Sequence, residues 1–245
     1  MRKSSLLTVL AVIVIGLLCQ YFALIWSPPE QTMGQLVRIM YFHVGSAWIA
    51  FLAFGVTALF ALIYLIRRKL VFDRIAVASA EIGVVYTTFT LVTGSLWAKP
   101  IWNTWWTWDP RLTTTLILWF LYVAYLLLRG TIEGIERRAR VSGVFGIIAF
   151  ADVPVIHFAV EWWRSIHPQV IDDTGINMPP SMVFTLMFAF GAFFVIYLLL
   201  LVLRTRQEAQ RQRLFFIRQG VHELRAKAFD GSINASISAT VKGEL

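Results

Sequence analysis

The sequence predicts an all-α integral membrane protein: six transmembrane helices, both termini cytoplasmic, and a Trp-rich loop on the opposite face. Three observations predict it. Of the 245 residues, 58% are hydrophobic and only 15% charged, with mean hydropathy +0.69; a soluble domain carries about 25% charged residues. The apolar residues gather into six runs, 6–26, 41–66, 75–97, 112–128, 141–160 and 182–203, each near the roughly 20 residues that cross a bilayer. Lys and Arg, finally, are segregated between alternate connections. Lipid cannot satisfy open backbone groups, so each run is expected to be helical. The domain reading is one six-helix membrane domain, 1–203, followed by a basic cytoplasmic tail, 204–245.

The first run follows Arg2 and Lys3 as a signal peptide's core would. It continues to Trp26 with no small-x-small cleavage site, and Leu18 precedes Cys19 where a lipoprotein signal needs a small residue, so it is expected to stay as a span. Cys19 is the one cysteine, which excludes a disulfide or a thiolate cluster and leaves a packing role. The second run has 26 residues, more than a ~30 Å hydrocarbon core needs at 1.5 Å per residue, so His43 emerges at its outer end. The third run ends at Trp97. The fourth is announced by Asp109 and Pro110, an N-cap residue followed by proline at the first helical position. The fifth contains Asp152 and Pro154, and the sixth leads into a tail that alternates basic and apolar residues to Phe229. That tail is expected to continue the helix or to lie along an anionic leaflet. Residues 230–245, DGSINASISATVKGEL, are polar and expected to be disordered.

Orientation follows from charge, because Lys and Arg concentrate in cytoplasmic loops. Of the 22 Lys and Arg, the connections opposite the termini hold Arg38, Lys99, Arg111 and Arg164 alone. The formal charge of +8 is therefore a topology signal whose partner is the lipid bilayer, with no nucleic acid implied. The loop 98–111, the residues before His43 and the Trp162–Trp163 loop all face outward.

Half of the ten tryptophans stand in GSLWAKPIWNTWWTWDPRLT, at Trp97, Trp102, Trp105, Trp106 and Trp108. An interfacial aromatic belt accounts for Trp26, Trp48, Trp97 and Trp119 near span ends. It does not account for four tryptophans inside a loop. Trp102, Trp105, Trp106 and Asp109 are spaced so that a short helix would present them on one face, a platform for a large planar ligand. Asp109 is read first as the helix cap, with any ligand role secondary.

Two outward histidines, His43 in YFHVGSAW and His167 in VEWWRSIHPQ, flank that platform in sequence. A single histidine there is ordinarily an interfacial hydrogen bonder. The pair together with the tryptophans suits ligation of an iron porphyrin from opposite faces. His157 is expected to pack beside Pro154 and His222 to be a solvated tail residue. Arg38 and Arg111, with Lys99 and Arg164 behind them, either pair porphyrin carboxylates or snorkel to headgroups. Glu81 and Asp152 within the spans are expected to make helix contacts or face the bundle interior. No Walker A loop, HExxH helix or GxSxG elbow occurs, so energy input would come from a partner.

The Trp-rich segment resembles the "WWD" signature of haem-handling membrane proteins of cytochrome c maturation. With RIMYFHVGSAW at 38–48 and DVPVIHFAVEWWRSIHPQ at 152–169, the fuller likeness is to the CcmC family, from about residue 28 to 203. The resemblance implies six spans in the bacterial inner membrane and haem b bound on the periplasmic side. Its axial iron ligands would be His43 and His167. The cradle would be Trp97, Trp102, Trp105, Trp106, Trp108 and Asp109, with Arg38 and Arg111 matching basic positions of the motifs. It implies no enzyme but delivery of haem to a CcmE-like chaperone, with CcmA/CcmB-like ABC transporter subunits and a small CcmD-like membrane protein as partners. Gly45 departs from the pattern, which has proline there, and is expected to loosen the start of the second helix. The tail beyond Arg204 matches nothing in the pattern. Two other readings remain open: a haem ligase subunit of a CcsA-like cytochrome c synthase, and a permease using Glu81 and Asp152.

Overall fold

The computed structural model describes residues 3–163, 165–168 and 178–243. Its elements are α1 (Lys3–Tyr21), ending in a π-helical turn Phe22–Trp26, α2 (Val37–Arg67), α3 (Leu70–Trp102), α4 (Pro110–Thr131), α5 (Ile135–Phe150), α6 (Asp152–Trp162) and α7 (Pro180–Gly243). Among the described residues, six helical segments are long and apolar enough to cross a membrane, as the composition required. The chain divides into two compact units, Met1–Leu203 and Arg204–Leu245.

In the first unit, α2 and α3 form the central antiparallel pair. They are joined by Arg68, whose left-handed φ of 56° turns the chain at the end of α2. Small residues let the two backbones approach, as is usual where lipid supplies no hydrophobic drive. Ala50 and Ala53 of α2 and Ala76 and Ala80 of α3 are all buried. At Gly83 an added Cβ would stand 2.6 Å from the Phe54 ring, and that ring stacks on Tyr122 of α4 with centres 3.7 Å apart. Buried hydroxyls are satisfied across helices: Ser79 Oγ donates to the Ala53 carbonyl at 2.7 Å and Tyr86 Oη to the Phe193 carbonyl at 2.9 Å.

One tie was not visible in the sequence. Arg129, in the last turn of α4, forks onto both carboxylate oxygens of Asp73 in the first turn of α3, at 2.7 and 2.8 Å, and onto Ser142 of α5 at 2.7 Å. Arg129 and Asp73 are both buried. By position in the sequence Arg129 is one of the basic residues that follow the fourth apolar run. In the structure it is the clasp at that end of the bundle, bidentate and fully desolvated.

Several boundaries differ from the sequence reading, each for a local reason. The fifth span is two helices broken at Ala151. Pro154 has no N–H to give the Phe150 carbonyl, four residues back, and the chain kinks there. Asp152 sits at that break with Oδ2 buried and unpaired among the described residues. Gly45 does not loosen α2. The helix begins at Val37 and runs unbroken through position 45, where an added Cβ would meet Phe193 Cδ2 at 3.0 Å; the missing side chain makes room for that ring. In the second unit, residues 230–243 are helical, not disordered. No proline interrupts the chain after Arg204, so the helix continues by satisfying its own backbone groups. Glu208 there lies 4.0 Å from Arg204 and 3.9 Å from Arg211.

Candidate functional site

His43 stands in the second turn of α2, not in a connecting loop, because the helix begins four residues before the apolar run does. Measured along α2 it is about 36 Å from Arg67 at 1.5 Å per residue, beyond a ~30 Å hydrocarbon core. The ring therefore reaches the interface at the end remote from the basic cluster. It lies against α3 where there is no side chain: a Cβ on Gly94 would come 2.9 Å from His43 Cε1 and 3.4 Å from Nδ1. Nδ1 is 3.0 Å from the Thr90 carbonyl and 3.2 Å from Thr93 Oγ1. A carbonyl can only accept, so Nδ1 carries the hydrogen, and in the neutral ring Nε2 is the nitrogen with the lone pair.

His167 follows α6 in the segment Ser165–Pro168. Its Nδ1–H donates to the Pro168 carbonyl at 2.9 Å, which again leaves Nε2 as the basic nitrogen. Burial, and then the nearby Arg111 cation, hold this imidazole below the ordinary histidine value, against the opposing pull of the Pro168 carbonyl and Asp109. That direction favours the neutral ring, the form that ligates a metal. Although 124 positions apart along the chain, the two rings have centres 6.2 Å apart at an interplanar angle of 33°. Two imidazoles sharing one metal through bonds of about 2 Å have centres roughly 6 Å apart. Two imidazole rings at that spacing, each with Nδ1 hydrogen-bonded to a backbone carbonyl, have the residue types and outer contacts that a bis-histidine metal site would use.

Asp109 caps α4, as its sequence context indicated: Oδ1 accepts the Arg111 N–H at 2.9 Å. It also reaches across the site. Oδ1 accepts from Ser165 Oγ at 3.0 Å and Oδ2 from the Ile166 N–H at 2.9 Å, while the His167 N–H donates to Ser165 Oγ at 3.1 Å. Arg111, in the first turn of α4, stands within electrostatic reach of both imidazoles.

The tryptophans do not share a helical face. α3 runs on through Pro100 to Trp102 and ends at Asn103, whose φ of 56° is left-handed; residues 105–108 are not helical. The i, i+3, i+4, i+7 spacing of Trp102, Trp105, Trp106 and Asp109 is therefore broken after its first member. The indoles pair edge-to-face instead, Trp97 with Trp102 at 5.3 Å and Trp106 with Trp108 at 6.0 Å. Trp97 lies one turn beyond Gly94 on α3. The Nε1 donors of Trp97 and Trp106, Arg38 Nε, and the hydroxyls of Thr107 and Thr113 are buried without a partner among the described residues. Orphaned donors of this kind are what a polar-edged planar ligand would satisfy. Trp105 stands apart, beneath Lys99 Nζ at 5.9 Å. Lys99 also donates to the Asn103 carbonyl at 3.3 Å, so it closes α3. Trp108 is 76% exposed and Trp162 59%. His157 is exposed on α6 and stacks edge-on to Phe158, and His222 is exposed in the tail helix. Arg164 lies outside the described residues.

Comparison with known proteins identifies the family. A profile described as heme exporter protein C matches residues 2–218. The chain belongs to the heme exporter protein C family. Relatives include the heme exporter protein C of Bradyrhizobium diazoefficiens, 33% identical over 77% of this chain and 72% of that protein, and that of Haemophilus influenzae, 33% identical over 86% of each. A ccmC-like mitochondrial protein of cytochrome c biosynthesis from Marchantia polymorpha is 36% identical over 75% of this chain and 78% of its own length. The family match extends into the tail as far as 218, beyond the point where the motif likeness stopped.

Gly94, Thr90, Thr93 and Ser165 were not singled out by sequence reasoning. The only signal was a run of small and hydroxylated residues, TLVTGS, on the turns of α3 that face α2. Its meaning depended on knowing that a histidine packs there.

Proposed function

We propose that the chain binds haem b at the periplasmic surface of the bacterial inner membrane and passes it to a CcmE-like chaperone for maturation of c-type cytochromes. The observation that carries this reading is the approach of the His43 and His167 rings, whose centres lie 6.2 Å apart with each Nδ1 hydrogen-bonded to a carbonyl. His43 and His167 are the axial ligands. Trp97, Trp102, Trp105, Trp106 and Trp108 supply aromatic surface for the macrocycle, and Arg38 and Arg111 pair its propionates. Saturating the iron from both faces excludes oxygen from it, so the chain acts as a carrier and not an enzyme. Three considerations support a periplasmic site: the charge asymmetry of the connections, the position of His43 along α2, and the exposed Trp108 and Trp162 beside the site, where a soluble partner has access.

The partners in this reading are CcmA/CcmB-like transporter subunits, which would supply the nucleotide chemistry that no motif here provides, and a small CcmD-like membrane protein. The optical spectrum of the purified protein tests the ligand assignment. Wild type is expected to give a low-spin, six-coordinate haem spectrum that is lost in both His43→Ala and His167→Ala. Unchanged spectra in the two variants would refute it.

A further inference from the structure

We propose that Asp109 is a positioning residue for His167: its buried carboxylate fixes the segment Ser165–His167 and so sets where the second axial imidazole stands. This rests on the haem reading above. Helix capping alone does not account for what the side chain does. A cap needs one acceptor, and Asn serves as well as Asp in that position. Here both carboxylate oxygens are used, and two of the three bonds leave α4 for the other connection, to Ser165 Oγ at 3.0 Å and the Ile166 N–H at 2.9 Å. Having given its hydrogen to Asp109, Ser165 Oγ accepts the His167 N–H at 3.1 Å. Three consecutive residues thus hang from one carboxylate, directly or through a single hydroxyl. Asp109 is 7% exposed, and a buried charge with this many donors makes bonds roughly twice as strong as neutral ones.

The asymmetry between the two ligands shows why such a device matters. His43 is held by two long helices, with its ring hydrogen bonded to Thr90 and seated over Gly94. His167 lies after α6, in the described residues Ser165–Pro168, which are not helical. Among the described residues, the bonds to Asp109 are the hydrogen bonds that tie Ser165–His167 to a helix. Because Asp109 also ends the Trp-rich segment, that segment and the second ligand are located at one point. Displacing either displaces the other.

The test uses the full chain with three substitutions. Asp109→Asn keeps an acceptor for the Arg111 N–H, and therefore the helix start, but turns an amide donor toward a donor of the 165–166 segment. Ser165→Ala leaves the cap and the Ile166 bond untouched and removes the link to the His167 N–H. Ser165→Thr retains the hydroxyl. In the haem-free protein, hydrogen exchange at the Ile166 and His167 amides is expected to quicken about tenfold or more in Asp109→Asn, and at His167 in Ser165→Ala. Ser165→Thr is expected to stay within about twofold of wild type, and α4 beyond its first turn to remain unchanged. In the haem-loaded protein, Asp109→Asn and Ser165→Ala are expected to shift part of the spectrum to five-coordinate high spin, and added imidazole to restore low spin. Exchange within about twofold of wild type in both variants, or spectra that stay fully low-spin, would overturn the proposal. If wild type shows no low-spin spectrum, the haem reading fails by itself, and the haem-free exchange rates still decide whether Asp109 holds the segment.

Discussion

Gly94→Ala separates the stability of the helix from the geometry of the site, because the two respond with opposite sign. In a helix interior, alanine is favoured over glycine by about 0.5–1 kcal/mol, so α3 itself gains. The new methyl, however, would stand 2.9 Å from His43 Cε1. Relief to an ordinary contact of about 3.4 Å moves the ring by about 0.5 Å, away from α3 and therefore away from the Thr90 carbonyl that fixes its tautomer at 3.0 Å. Sites of this kind need their groups within about 0.5 Å of the productive position, and outer-shell disturbances cost about 10–100-fold in metal affinity. The expected result is a haem dissociation constant raised by that factor in a protein whose unfolding temperature is unchanged or higher. Haem titration followed by difference spectra, with thermal unfolding in the same detergent, measures both. Gly191→Ala, where an added Cβ meets nothing within 4 Å, is the control and is expected to leave haem affinity alone. A folded Gly94→Ala variant with wild-type haem affinity would refute the placement of His43 against α3 as part of the site.

Two further predictions follow from charged groups. Arg111→Gln is expected to weaken haem binding about tenfold, the scale of one charge-assisted hydrogen bond, and to make no difference with haem dimethyl ester, which has no carboxylates to pair; equal loss with both ligands would assign Arg111 another role. Asp73→Asn alone leaves the Arg129 cation buried without its countercharge and is expected to cost about 3–5 kcal/mol of stability, whereas the double replacement Asp73→Leu/Arg129→Met recovers most of it. Thermal unfolding of the three proteins checks this, and a single variant as stable as wild type would show that the clasp contributes little.

The fold class was legible because the bilayer imposes so strict a condition. A run of about 20 apolar residues has one backbone solution in lipid, so six spans could be counted from composition and order alone. The Asp109–Pro110 helix start was legible for a similar reason: capping is settled within four residues of chain. Boundaries were less so. The break at Ala151 needed Pro154 to be weighed against an otherwise continuous apolar run, and α3 ran past Pro100 where the sequence suggested a loop. The helical reading of the tryptophan segment failed because residue spacing says which side chains would share a face if the chain were helical, not whether it is.

The sequence by itself determined that this chain is a six-span membrane protein with its aromatic and imidazole-bearing segments at one end, since these properties are set by local hydrophobicity and by charge along the chain. Only the tertiary structure decided that His43 and His167 come within 6.2 Å, that Gly94 vacates the space for one ring, and that the Asp109 carboxylate spans to the segment bearing the other. Those distances are set by how helices remote in sequence pack and by which groups find hydrogen-bond partners once they are buried together. No short stretch of chain contains that information.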